Sequence, residues 1–117
     1  MLRVIFISFL SLFLLFACSK KDNKKIVLEP TDREKSVTVY EEAVDALKRG
    51  DAFYAAKKFK EVESLTPQSE WAAKASIMAA YADYSRNAYS SSIFGLERHI
   101  KNYPGDKNVI YAHYLIA

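Results

Sequence analysis

Few side chains in this chain have the types and spacing that catalysis or metal binding requires. The two histidines, His99 and His113, are 14 positions apart, and no cysteine or carboxylate stands near them at a spacing typical of a metal site. No glycine-rich phosphate loop and no Gly-x-Ser-x-Gly sequence is present. The sequence therefore predicts no catalytic residue, no metal site and no cofactor, and it argues against an enzyme. We expect His99 at the edge of the core or on the surface.

The single cysteine, Cys18, stands where a covalent modification is predicted. It ends an uncharged apolar run of 15 residues that starts at Val4, shorter than the roughly 20 residues that cross a bilayer as a helix. Residues 1–17 are therefore predicted to be a secretory signal peptide. Leu15-Phe16-Ala17-Cys18 resembles the bacterial lipoprotein box. The resemblance implies cleavage after Ala17, acylation of Cys18 and, because Ser19 rather than an aspartate follows, the outer membrane. The alternatives are a plain signal peptide with an incidental cysteine, or an uncleaved short anchor.

Residues 18–31 are predicted to form a flexible tether between the lipid and the folded part. They contain four lysines, and Ile26-Val27-Leu28 is their only apolar run, so they bury too little to offset the cost of ordering. The lysines suit either a solvated spacer or contact with anionic headgroups. The net charge of +3 is too small to indicate a nucleic-acid partner.

From the tether onwards the sequence repeats with a period of 37 residues. Gly50 to Pro67 returns as Asn87 to Pro104, and Gly50 and Asn87 both tolerate the left-handed conformation that ends a helix. All prolines of the chain share the period: Pro30, Pro67 and Pro104. Two residues after each comes a residue suited to cap a helix: Asp32, Ser69 and Asp106. We expect Asp51 to cap the helix after the first turn. Such a register indicates a helical repeat protein.

Apolar positions spaced i, i+3, i+4 and i+7 predict an all-α fold of antiparallel helix pairs. Repeat 1 is assigned to residues 32–67, repeat 2 to residues 68–104, and the first helix of an incomplete repeat 3 to residues 105–117. The predicted buried positions are Tyr40, Ala43, Val44, Leu47, Ala52, Ala55, Ala56, Phe59, Val62, Leu65, Ile77, Ala80, Tyr81, Tyr84, Ile93, Leu96 and Ile100. A third repeat that stops without its returning helix leads us to expect a longer protein, or else a partner that covers the open face.

Small and large residues alternate in a way that predicts how the helices of a pair meet. Ala43 with Ala55, and Ala80 with Ser92, are expected where the two helices approach closely. Phe59 is expected to fill the space between the helices of the first pair, and Leu96 does the same in the second. The order of turn glycine, small residue, large apolar residue and terminal proline looks like a tetratricopeptide repeat, which implies a short right-handed solenoid. Its ordinary period is about 34 residues.

Tyrosines are the remaining candidates for binding. Five lie on the first helices of the pairs: Tyr40, Tyr81, Tyr84, Tyr111 and Tyr114. They are either filler between neighbouring repeats or the lining of a groove for an extended or helical peptide. Trp71 is expected to be a packing anchor. Five glutamates are expected on solvated helix faces: Glu41, Glu42, Glu61, Glu63 and Glu97.

The second repeat carries a closer resemblance. Tyr81-Ala82-Asp83-Tyr84, Leu96, Arg98-His99-Ile100 and Tyr103-Pro104 are followed by Asn108-Val109-Ile110-Tyr111-Ala112-His113-Tyr114. Together they are similar to the BamD family, the lipoprotein of the outer-membrane β-barrel assembly machinery. The similarity runs from about residue 34 to residue 117, includes the Gly50-Asp51 turn, and departs at Ser90-Ser91-Ser92, where that family has better helix formers.

The resemblance implies a non-enzymatic scaffold on the periplasmic face of the outer membrane, of which this chain is the N-terminal portion. It implies several partners: the central β-barrel assembly subunit, companion lipoproteins and unfolded outer-membrane proteins. The alternatives are another lipid-anchored repeat scaffold that serves envelope or cell-wall assembly, and a secreted binding module without lipid if Cys18 is incidental.

Overall fold

The computed structural model describes residues 30–117, which form five helices and, within that range, no strand. They are α1 (Asp32–Lys48), α2 (Ala52–Leu65), α3 (Glu70–Ser85), α4 (Tyr89–Asn102) and α5 (Val109–Ile116). Each helix packs against the next in the chain, and α1 also touches α3. The predicted all-α, tetratricopeptide-like array is therefore confirmed. The predicted signal peptide, Cys18 and nearly all of the tether lie outside the described residues.

The turn inside each helix pair repeats in atomic detail. Gly50 has φ of 85° and Asn87 has φ of 64°, the left-handed conformation that closes a helix. The N–H of Asp51 donates to Ala46 O over 2.9 Å, and the N–H of Ala88, 37 residues later, donates to Asp83 O over 2.9 Å. This six-residue hydrogen bond is the signature of a Schellman turn. The predicted period of 37 residues is thus confirmed in the backbone hydrogen bonds.

Side-chain caps start α2 and α3 where the sequence predicts them. Asp51 Oδ1 accepts the N–H of Tyr54 over 3.0 Å, and Ser69 Oγ accepts the N–H of Ala72 over 3.0 Å. Each cap satisfies one of the backbone donors that the first helical turn leaves open. Local sequence was sufficient to place both starts because a cap acts within three residues.

The other predicted caps are wrong. Thr31, not Asp32, caps α1: Thr31 Oγ1 accepts the N–H of Glu34 over 3.3 Å, while the Glu34 carboxylate accepts the N–H of Thr31 over 2.7 Å. This reciprocal capping box outcompetes a single cap. Asp106 does not cap α5, because its carboxylate instead accepts the N–H of Asn108 over 2.8 Å. That turn delays α5 until Val109.

The core forms between the helices of each pair and continues into the next pair. Phe59 and Leu96, which occupy equivalent positions, are both fully buried. Most of the residues around them are alanines, which permit close helix approach. The first cluster contains Ala43, Ala46, Ala55, Ala56, Phe59, Val62, Ala75, Ala79 and Ala82. The second contains Ile77, Ala80, Leu96 and Ala112.

The two helices of the second pair, α3 and α4, approach each other closely at Ala80 and Ser92, as the small size of these residues predicts. Ser92 Oγ donates to Ala80 O over 2.8 Å, and a Cβ added to Gly95 would lie 3.3 Å from Ala80 Cβ. The predicted burial of Ile93 is wrong, since its side chain is exposed. Ser92, Leu96 and His99 already form the inward stripe of α4, and Ile93 lies beside that stripe rather than on it.

Candidate functional site

Tyr40, the first of the five predicted groove residues, belongs to the core. Its ring packs edge-on against Phe59, with centroids 5.3 Å apart, and against Trp71 at 5.2 Å. Burial raises the pKa of the Tyr40 hydroxyl, and the nearby charge of Lys74 partly opposes that shift. Lys74 Nζ lies 5.0 Å from the Trp71 ring centre. Trp71 is therefore the packing anchor that the sequence predicts.

Tyr81 and Tyr84 present aromatic surface on α3. Their side chains are 40% and 47% exposed, so the predicted burial of both residues is wrong. Tyr84 packs edge-on against Tyr89 of α4, with ring centroids 5.6 Å apart, and the Tyr89 hydroxyl donates to Asn87 Oδ1 over 2.8 Å. This hydrogen bond links the Tyr89 ring to the turn at Asn87, and the rings of Tyr84 and Tyr89 pack together on the exposed surface.

Tyr111 and Tyr114 lie on α5 and are 43% and 75% exposed. Tyr114 occupies the repeat position of Tyr40 and Ile77, both of which pack into core clusters. Tyr114 itself packs into neither cluster. The structure therefore brings Tyr81 and Tyr84 together, places Tyr111 and Tyr114 on a different helix, and buries much of Tyr40.

A buried carboxylate at Asp83 was not predicted. Asp83 is 1% exposed. Arg86 Nε donates to its Oδ1 over 3.0 Å, Arg86 Nη2 lies 2.9 Å from the same oxygen, and Lys60 Nζ lies 3.1 Å from its Oδ2. The sequence held a signal for this site, because Asp83 replaces the buried Ala46 of repeat 1. A charge at a core position of a repeat requires partners.

Glu63 was expected on a solvated face, and that prediction is wrong. It is 9% exposed and accepts a hydrogen bond from Arg98 Nη2 over 2.7 Å. The Tyr103 hydroxyl lies 3.5 Å from its other oxygen, and burial together with the Glu63 charge raises the pKa of Tyr103. Residues of repeat 2 cover Glu63, so its environment depends on a contact between repeats.

His99 was expected at the core edge or the surface, but it is fully buried. Neither ring nitrogen has a hydrogen-bond partner, although Nε2 lies 3.4 Å from Asp106 Oδ1. The ring lies 5.4 Å from that of Tyr103. Burial lowers the pKa of His99, and the carboxylate of Asp106 partly opposes that shift. The position explains the burial, because His99 is the repeat equivalent of the buried Val62.

Residues 30–117 contain no group of three histidine, cysteine, aspartate or glutamate side chains that could hold a metal ion. None of the helices in the same range is both long enough and apolar enough to cross a bilayer. The charged clusters described above are ion pairs that link helices, each with its carboxylate covered.

An array of stacked helix pairs defines a tetratricopeptide-like repeat protein, a class whose repeats build extended binding surfaces. Residues 32–117 match the YfiO family model, described as "Outer membrane lipoprotein". The chain therefore belongs to this family of outer-membrane lipoproteins.

Curated relatives agree with that assignment. The "Outer membrane protein assembly factor BamD" of Caulobacter vibrioides is 39% identical over 79 residues, which are 68% of this chain and 26% of the relative. The protein of the same name from Xylella fastidiosa strain 9a5c is 27% identical over 77 residues, 66% of this chain and 26% of its own. The chain thus spans about a quarter of the length of these relatives. No solved structure matches the chain significantly.

Proposed function

We propose that this protein is a lipid-anchored scaffold of the outer-membrane protein assembly complex and helps to fold and insert β-barrel proteins into the outer membrane. The observation that carries the proposal is the 39% identity to an assembly factor over 79 residues. Family membership over residues 32–117 supports the same function. The proposed role is binding rather than catalysis, and Glu63 and Asp83, the buried carboxylates of residues 30–117, are both held in ion pairs.

In this proposal, Cys18 carries the lipid that holds the scaffold at the periplasmic face of the outer membrane. More than one acyl chain gives stable anchoring, since each buried methylene contributes about 0.8 kcal/mol. The intact mass of the membrane-extracted protein tests the anchor. We expect a mature chain that starts at Cys18 and carries the mass of three acyl groups, and a Cys18→Ser variant that leaves the membrane fraction. A wild-type protein without added lipid mass would contradict this part.

The proposed partners are the central β-barrel assembly subunit, companion lipoproteins and unfolded outer-membrane proteins. The exposed tyrosines are the side chains proposed to contact them, first of all Tyr81 and Tyr84 on α3. Tyrosine combines a large apolar ring with a hydroxyl, so it adds contact area at low cost in side-chain entropy. Tyr111 and Tyr114 extend this surface on α5, while Tyr40 supports it from the core.

Site-specific photocrosslinking in cells tests the function and the surface together. A photoreactive residue at Tyr81 in the full-length protein is expected to crosslink to newly made outer-membrane proteins or to a subunit of the assembly complex. The matched control is the same residue at Glu97, which is exposed on α4. Recovery of neither kind of partner by affinity isolation of the full-length protein would reject the function. Recovery of both without a crosslink at Tyr81 would reject only the surface.

A further inference from the structure

A groove between α2 and α4 is not used by the function proposed above. Its larger part has a volume of about 710 Å³, and its lining includes Lys60, Ser64, Ser90, Ser91, Phe94 and Arg98. A smaller part of about 260 Å³ continues it between α2 and the end of α3, and its lining includes Phe53, Lys57, Lys60, Asp83 and Arg86. Lys60 lines both parts, so they form one surface, which we name the α2–α4 groove. None of the tyrosines Tyr81, Tyr84, Tyr111 and Tyr114 lines either part.

Two exposed phenylalanines flank this groove. Phe53 is 68% exposed and Phe94 is 69% exposed, whereas Phe59, on the same helix as Phe53, is fully buried. The Arg86 guanidinium lies 5.3 Å from the Phe53 ring centre, which orients that ring over the smaller part. Exposed aromatics beside arginine are typical of the residues that dominate binding energy at protein interfaces.

The groove stays open because α4 carries serines at its start. Ser90 and Ser91 replace Phe53 and Tyr54 of repeat 1, and both are exposed. Core packing explains the neighbouring small residues. Ser92 donates a hydrogen bond to Ala80 O, and a Cβ at Gly95 would lie only 3.3 Å from Ala80 Cβ. Core packing does not explain Ser90 and Ser91, which weaken the helix by their low propensity. Their small side chains leave room beside Phe94 that bulkier residues would fill.

The groove presents positive charge to solvent. Four cations line it: Lys57, Lys60, Arg86 and Arg98. Its two carboxylates, Asp83 and Glu63, are 1% and 9% exposed and are covered by those cations. The side chains of Lys60, Arg86 and Arg98 remain 51%, 35% and 36% exposed. An occupant that brings negative charge is therefore favoured.

We infer that the α2–α4 groove is a second binding site, whose ligand is an acidic polypeptide segment with bulky apolar side chains. The carboxylates of the segment meet the four cations, and its apolar side chains pack on Phe53 and Phe94. The groove follows α2 from Phe53 to Ser64, about 17 Å at 1.5 Å per residue. An extended segment of about five residues spans that length. The inference is independent of the function proposed for the tyrosine surface.

Fluorescence anisotropy with the full-length protein and a short labelled peptide tests the site. The probe alternates glutamate with leucine and phenylalanine, and the matched probe has lysine for every glutamate. We expect the acidic peptide to bind, more weakly as salt is raised, and the basic peptide not to bind. Absence of acidic-peptide binding, or equal binding of the basic peptide, would overturn the inference.

Substitutions locate the binding on the groove. Lys57→Glu and the Phe53→Ser/Phe94→Ser double variant change exposed side chains, so the fold is retained, and each is expected to weaken binding about tenfold or more. The matched control is Ile110→Ser, which removes an exposed apolar side chain on α5 and is expected to leave binding unchanged. Equal binding by the groove variants and the wild type would reject the groove, whatever the crosslinks at Tyr81 show.

Discussion

Arg98 on α4 donates to the carboxylate of Glu63 on α2 across 2.7 Å, although the two residues are 35 positions apart. The pair joins repeat 1 to repeat 2 at the wall of the α2–α4 groove. Glu63 is nearly covered, whereas Arg98 keeps a third of its side chain in solvent. The arginine therefore supplies the charge that allows a carboxylate to lie between the repeats.

Loss of that arginine is expected to destabilise the junction. Arg98→Met leaves the Glu63 carboxylate with only the Tyr103 hydroxyl at 3.5 Å, so we expect the free energy of unfolding to fall by about 1–3 kcal/mol. Urea unfolding of the full-length protein measures the change. The Glu63→Gln/Arg98→Met double variant is expected to recover part of the loss, because no charge then remains buried. A double variant that is less stable than Arg98→Met would contradict this explanation.

The Asp83 cluster predicts an asymmetry between its two sides. Loss of both cations, in Lys60→Met/Arg86→Met, leaves a buried carboxylate without a partner and is expected to cost about 3–5 kcal/mol. Asp83→Asn leaves two cations that water can reach, so a smaller loss is expected. Thermal unfolding at neutral pH compares the variants. An equal or larger loss for Asp83→Asn would show that the carboxylate is not the costly member of the cluster.

Two phenylalanines on one helix make a matched test of the core. Phe59→Ala empties the space between α1 and α2 and is expected to cost about 3–5 kcal/mol. Phe53→Ala, six residues earlier on the same helix, removes an exposed ring and is expected to change stability by about 0.5 kcal/mol or less. Chemical denaturation of both variants checks this. Similar losses would mean that the burial of Phe59 does not determine stability.

His99 is expected to make stability depend on pH. Burial lowers its folded-state pKa, so the unfolded chain binds the proton more readily. Stability is complete above the ordinary histidine pKa of about 6.5 and falls as pH drops below that value toward the folded-state pKa. Asp106 faces the ring from the following loop, while Glu63 and Arg98 also act on it. Asp106 and Glu63 raise the pKa of His99 and Arg98 lowers it, and burial remains the largest effect.

Unfolding midpoints between pH 7.5 and 5.5 measure this dependence in a range where most carboxylates stay ionised. His99→Leu is the matched variant, since an apolar side chain already fills the equivalent position at Val62. We expect its stability to vary less with pH than that of the wild type. An unchanged pH dependence in His99→Leu would assign the effect to other groups.

Local sequence was enough to predict the helical fold, the period of 37 residues, the left-handed turns at Gly50 and Asn87, and the caps at Asp51 and Ser69. All of these depend on interactions within a few residues of one another, and their repetition made them visible. The predicted caps at Asp32 and Asp106 were wrong because other local interactions formed instead. These are the Thr31–Glu34 capping box and the turn in which Asp106 accepts the N–H of Asn108.

Packing between helices determines which polar groups are buried, although the repeat positions of Asp83 and His99 already pointed to burial. Glu63, Asp83 and His99 lie on three different helices, and their burial results from packing between repeats. The same packing separates Tyr40, which enters the core, from Tyr81 and Tyr84, which remain exposed. Helical periodicity shows which residues share a face, but the solvent exposure of that face depends on the neighbouring helices that cover it.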